Sequence, residues 1–82
     1  KTTPQEGTIL SAATPVEEVR KIMGLDIPDV AETLGGLVVY AARKSKKSLK
    51  EDEIYEIDGL KMKINRLLDG IIEMVEVIEE KD

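Results

Sequence analysis

Two Asp-Gly dipeptides, Asp58-Gly59 and Asp69-Gly70, punctuate the C-terminal part of the chain, and each is flanked by apolar residues alternating with polar ones. A two-residue type I′ turn needs positive φ at both central positions. Asp followed by Gly accepts this at little steric cost, which makes the pair a strong short-range hairpin signal. The spacing predicts strands over 53–57, 60–68 and 71–78, joined by two hairpins into a three-stranded antiparallel meander.

Two-residue loops also set a register that the side chains can test. Ile57 then faces Leu60, Tyr55 faces Met62, Ile64 faces Val75 and Met62 faces Val77, all on one side of the sheet. The other side sets Glu56 across from Lys61 and Lys63 across from Glu76, so opposite charges pair where apolar groups do not. The pattern breaks near the second turn. There Arg66 and Glu73 fall on the apolar side while Leu67 and Ile72 fall outside, which predicts a bulge or strong twist.

Upstream, Thr8-Ile9-Leu10-Ser11-Ala12 follows Gly7 as a short apolar run and reads as a first strand, with residues 1–6 as a flexible tail. A first helix is signalled by Thr14 as N-cap, Pro15 at the first helical position and Glu17 completing a capping box. Its apolar face is Val16, Val19, Ile22 and Met23, with Glu17 and Glu18 at the positive end, Arg20 and Lys21 at the negative end and Gly24 as left-handed C-cap. Leu25-Asp26-Ile27-Pro28 is a connection, since proline disfavours helix in the residue before it. A second helix carries Val30, Leu34, Leu37, Val38 and Ala41 on its apolar stripe. Asp29 with Glu32 forms a capping box for it, or Thr33 caps a later start. Gly35-Gly36 inside a helix costs about 1 kcal/mol per glycine relative to alanine, which points to that later start or to a close backbone approach. Residues 37–40 also suit a buried strand. Residues 43–50 are lysine-rich and polar and read as an exposed loop.

These elements make one α+β domain: a short N-terminal strand, two helices and a meander packed on the helices. A chain of 82 residues buries only about 60% of its unfolded surface, so no second core is available. Its 41% hydrophobic and 35% charged content belongs to a folded domain and not to a disordered one. No apolar run approaches the roughly 20 residues that span a bilayer, and 1–5 lack the apolar core of a signal peptide. The chain opens on Lys1 and not on methionine, as a segment of a longer protein would.

Cysteine and histidine are both absent. The common zinc sites, the thiol nucleophile and the imidazole that activates serine are therefore excluded, and no catalytic residue, metal ligand or cofactor is expected. A net charge of −5 repels phosphate backbones, and only Tyr40 and Tyr55 are available to stack on bases, so nucleic acid is not an expected partner.

The order of elements, together with Pro15-Val16-Glu17-Glu18-Val19, Gly24-Leu25-Asp26-Ile27-Pro28, Glu32-Thr33-Leu34-Gly35-Gly36-Leu37-Val38 and Asp58-Gly59-Leu60-Lys61-Met62-Lys63-Ile64, resembles the CorC/HlyC transporter-associated domain. The Thr-Leu-Gly-Gly-Leu piece is the most specific of these, and the likeness spans 7–78, leaving 79–82 as an acidic tail. Two departures are Ala13, where the family tends to have glycine, and the long 46–52 loop, where it tends to have a Pro and Gly-Asp turn. The resemblance implies a domain on the cytoplasmic side of the bacterial inner membrane, following a transmembrane domain and a CBS pair in proteins linked to magnesium and cobalt efflux, some of them labelled hemolysins. It implies a regulatory role exercised on those neighbouring domains or through a homodimer, without catalysis. The family's fold also resembles part of the FAD-binding folds of certain oxidases.

The alternative is a small-ligand module for a nucleotide-like or flavin-like molecule. Its candidate residues are Thr33, Gly35 and Gly36, because backbone N–H groups and the macrodipole favour negative charge at a helix N-terminus. Tight helix packing and plain capping explain the same residues structurally. Arg43, Lys44, Lys46, Lys47 and Lys50 read as a solvated loop, with contact to anionic lipid or an acidic partner as the functional counterpart. The acidic C-terminus, Glu73, Glu76, Glu79, Glu80 and Asp82, offers no convergent oxygen cage and at most nonspecific attraction for divalent cations.

Overall fold

In a computed structural model, which describes residues 6–24 and 26–79, the chain runs β1 (Glu6–Ser11), α1 (Val16–Met23), α2 (Leu34–Ser45), β2 (Ile54–Ile57), β3 (Leu60–Leu68) and β4 (Ile71–Glu79). The residues read as tails lie outside this description, save that Glu6 already belongs to β1 and Glu79 to β4. The four strands form one antiparallel sheet in the order β1-β4-β3-β2. Both turns adopt the expected left-handed pair, with φ of 50° and 85° at Asp58 and Gly59 and of 52° and 76° at Asp69 and Gly70. The pairs Ile57 with Leu60, Tyr55 with Met62, Ile64 with Val75 and Met62 with Val77 all form, as do Glu56 opposite Lys61 and Lys63 opposite Glu76.

The break near the second turn is a local irregularity. Pairing shifts between Ile64 and Arg66 and again between Arg66 and Leu67. The shift turns Asn65 and Arg66 outward in succession and lets Leu67 and Ile72 pack against the core. Arg66 and Glu73, which a regular ladder would place on the apolar side, instead form an exposed ion pair at 3.2 Å. Escape of two charged groups from the core outweighs the ladder bonds lost at a bulge.

The helices lie over the apolar face of the sheet. Val16 and Val19 of α1 and Leu34, Leu37, Val38, Ala41 and Ala42 of α2 meet Tyr55, Met62, Ile64, Val75 and Val77. Burial of each large apolar side chain contributes roughly 1.5–3 kcal/mol. Ile22, expected on the inner face of α1, is 53% exposed. It sits about 120° around the helix from Val16, whereas Met23 returns to the same face. Val30 precedes α2 and is exposed, so the stripe starts at Leu34.

Helix ends account for the remaining differences. Gly24 caps α1 in the left-handed conformation as expected, but the N-cap is Pro15, without a side-chain bond, and the Thr14–Glu17 capping box does not form. Val16 N–H instead donates to the Glu32 carbonyl at 2.8 Å, so backbone takes the role assigned to Thr14. Residues 37–40 are helical, not extended, and α2 continues to Ser45, absorbing Arg43 and Lys44 from the expected loop. Lys46 ends it with φ 57°, a left-handed cap without the glycine that would have signalled it. Beyond the cap, Leu49 packs against the core.

Candidate functional site

Thr33, Gly35 and Gly36 all stand at the N-terminus of α2, where four N–H groups have no partner within a helix. Those of Leu34, Gly35 and Gly36 find one nearby, and Leu37 N–H makes the first bond of the helix itself. Leu34 N–H donates to Thr14 O at 2.9 Å, Gly35 N–H to Ala12 O at 2.8 Å and Leu37 N–H to Thr33 O at 2.9 Å. Gly36 N–H donates to Thr33 Oγ1 at 3.2 Å, which makes Thr33 the cap of the later start and sets aside the Asp29–Glu32 box. An isolated bridge between Pro15 and Thr33 holds the two strand-like corners together. The first turn of α2 is thereby latched onto the β1–α1 corner, and the N–H groups of Leu34, Gly35 and Gly36, on which an anion site would draw, are engaged by protein.

The two glycines have different reasons. A Cβ on Gly35 would stand 3.0 Å from the Ala12 Cβ and 3.2 Å from its carbonyl oxygen, so the close backbone approach favours glycine there. At Gly36 a Cβ would meet Ala31 Cβ and Thr33 Oγ1 at 3.4 Å, an ordinary contact. We expect Thr33→Ala to lower stability by about 1 kcal/mol through loss of the cap. Chemical denaturation checks this: an unchanged midpoint would show that the hydroxyl contributes nothing.

The latch borders a shallow, mainly apolar hollow of about 520 Å³. Ala12, Ala13, Thr33, Gly35 and Val39 line one side, Leu49 another, and Gly70, Ile71 and Ile72 of the second hairpin close it. Two of the three candidate residues thus meet a hairpin tip distant in sequence. Proximity to that tip had no sequence signal, because nothing local to Gly35 encodes the position of Gly70. A second hollow of about 470 Å³ lies beside α1, lined by Glu17, Arg20, Asp29 and Glu32 among others. Arg20 also donates twice to the Ile27 carbonyl, at 3.1 and 2.8 Å. Among the described residues no group of three potential ligands is placed to hold a metal ion.

The basic residues divide into structural and solvated ones. Lys47 donates to Ile54 O at 3.0 Å, pairs with Glu53 at 3.3 Å and lies 5.7 Å from the Tyr55 ring centre. Lys44 lies 5.8 Å from the Tyr40 ring centre. Arg43, Lys46 and Lys50 are exposed. Of the acidic C-terminal residues, Glu73 pairs with Arg66, and Glu76 reaches Lys63 at 3.9 Å. Glu80 and Asp82 lie outside the described residues.

No helix is long and apolar enough to cross a membrane among the described residues. Comparison with curated proteins returned no match. Among solved structures, a CorC_HlyC domain from Haemophilus ducreyi is 25% identical with a TM-score of 0.75, over 100% of this chain and 98% of that one. A conserved protein of unknown function from Haemophilus influenzae Rd KW20 is 23% identical with a TM-score of 0.74, over 90% of this chain and 89% of that one. A region from Neisseria meningitidis MC58, assigned as associated with a Mg2+ and Co2+ transporter (CorC), is 21% identical with a TM-score of 0.72, over 96% and 95%. The last two share the fold. The profile of the transporter associated domain, CorC_HlyC, matches residues 2–81, and the chain belongs to that family.

Proposed function

We infer that this chain is an accessory domain of a CBS-containing membrane transporter, on the cytoplasmic side of the bacterial inner membrane. In this reading it serves magnesium or cobalt efflux, and acts without catalysis by docking on neighbouring domains or a second subunit. The observation that carries this reading is the family match over residues 2–81. The fold shared with a region assigned to CorC supports the ion class. The latch geometry is consistent with a non-catalytic role, since the most family-like motif, Thr33-Leu34-Gly35-Gly36-Leu37, serves to join α2 to the β1–α1 corner. Coupling would then be conformational, a bias on the equilibrium of the transport unit.

Two measurements test it. The complete reading frame should carry a transmembrane segment and a CBS pair ahead of Lys1, and a frame without them ends the proposal. Deleting this domain from the full-length protein should leave it membrane-inserted while changing magnesium or cobalt flux in vesicles by several-fold. Unchanged flux of both ions would remove the regulatory role.

A further inference from the structure

The sheet has two edges, and they differ in how they are protected. An edge strand offers unpaired N–H and C=O groups to any other strand, and proteins usually blunt it with short length, charge or a covering side chain. At β2 all three devices are present. The strand has only four residues, it carries Glu56, and Lys47 Nζ bonds the Ile54 carbonyl at 3.0 Å. That carbonyl points outward, as expected where the Glu53–Ile64 and Tyr55–Met62 pairs bond inward to β3.

Among the described residues β1 is less protected: the charged group that lies over it is the Glu76 side chain, which crosses Gly7 from β4. From Gly7 to Val16 no side chain is charged, in a chain that is 35% charged overall. Ala12 N–H donates to Glu73 O at 2.9 Å, one step beyond the Ser11–Met74 pair. Alternation of an antiparallel ladder then has Leu10 and Thr8 bonding inward to β4, while the peptide groups of Ile9 and Gly7 face outward. Among the described residues nothing bonds them. Ile9 projects from the face opposite the helices, opposite Glu76, and is 50% exposed.

We propose that the β1 edge is a homodimer interface, where a second copy's β1 adds antiparallel around a two-fold axis at Ile9 to make a continuous eight-stranded sheet. Outward-facing residues must pair with outward-facing residues, so Ile9 meets Ile9 and Gly7 meets Ser11 of the other copy. Residues 7–11 of both copies are uncharged, so this register opposes no like charges. A net charge of −5 disfavours self-association through acidic faces, and the side chains of residues 7–11 add nothing to that charge. The paired isoleucines cover apolar surface that the monomer leaves in water.

Sedimentation velocity of the chain across a concentration series into the millimolar range tests this, together with variants at Ile9. Mass should rise from 9.1 kDa toward twice that value. Ile9→Lys, at an exposed position, should return it to the monomer value with an unchanged circular dichroism spectrum, since two ammonium groups would face each other across the axis. Ile9→Cys introduces the sole thiol of the chain; under mild oxidation it should form a covalent dimer much faster than Ile54→Cys on the opposite edge. Paired residues of this kind lie about 5.5 Å apart at Cα, within disulfide reach. A monomer at every concentration, a dimer that persists in a folded Ile9→Lys, or equal crosslinking at both positions would each overturn the proposal. If Ile9→Lys fails to fold, the crosslinking comparison decides alone. The transporter reading stands or falls on reading frame and flux, independently of these results.

Discussion

Truncating Tyr55 to alanine is expected to destabilise the domain by about 3–5 kcal/mol, as loss of a large buried aromatic does elsewhere. The side chain is fully buried and opposite Met62 on the apolar face of the sheet. Its hydroxyl donates to the Ser48 carbonyl and accepts from Lys50 N–H at 3.0 Å, so it also ties the α2–β2 connection to the core. A domain of this length has total stability on the order of 4–12 kcal/mol, and the loss would take a large part of it. Urea denaturation should show a midpoint lowered in proportion. Tyr55→Phe separates the two contributions: keeping the ring while leaving Ser48 O and Lys50 N–H without their partner should cost about 1–3 kcal/mol. A loss below about 1 kcal/mol for the alanine variant would mean that the surrounding core collapses into the space.

Gly35→Val is expected to cost roughly 3 kcal/mol, near the upper end for overpacking. Its Cβ would be forced to 3.0 Å from the Ala12 Cβ and 3.2 Å from the Ala12 carbonyl oxygen. The second of those atoms is backbone, itself held by the Gly35 N–H bond at 2.8 Å, so relief strains that bond, and the two further methyl groups of valine crowd the same corner. Gly36→Ala is the matched control. Its Cβ meets only ordinary contacts at 3.4 Å, and replacing a helical glycine should raise stability by up to about 1 kcal/mol. Thermal unfolding of the pair should move Tm in opposite directions. Equal effects at both positions would contradict the latch.

Much of the meander was legible because its determinants are local. Asp-Gly carries the conformation of each turn, and two-residue loops set which residues face each other except at the bulge around Arg66. The conflict between Arg66–Glu73 and Leu67–Ile72 was itself information, since a regular ladder could satisfy only one of the two pairs. Helix ends were less legible. Asp29–Glu32 and Thr33 were equally good caps by local chemistry, and Thr33 prevails because Thr14 and Ala12 supply the acceptors that start α2 at Leu34. The Thr14 cap failed for the same reason in reverse, with Glu32 O occupying the donor of Val16. Polar composition over 43–50 obscured the last turn of α2, where buried Ala41 and Ala42 hold the helix and exposed basic side chains merely accompany it. At the candidate site the sequence singled out Thr33, Gly35 and Gly36 as residues of a helix start, but not the acceptors that take the N–H groups of Gly35 and Gly36.

What the sequence determined by itself, then, is whatever rests on a few adjacent residues: both hairpins and their register, the two helices, the left-handed Gly24 cap, the absence of thiol and imidazole chemistry, and the family likeness. Tertiary structure alone decided that β1 joins β4 at the edge of the sheet, that Gly35 abuts Ala12, and that among the described residues nothing bonds the outer side of β1 while Lys47 guards β2. The physical reason is one of range. Turn chemistry and side-chain alternation act within a few residues, whereas these contacts close long loops, and no local preference distinguishes the acceptor or strand that is finally met.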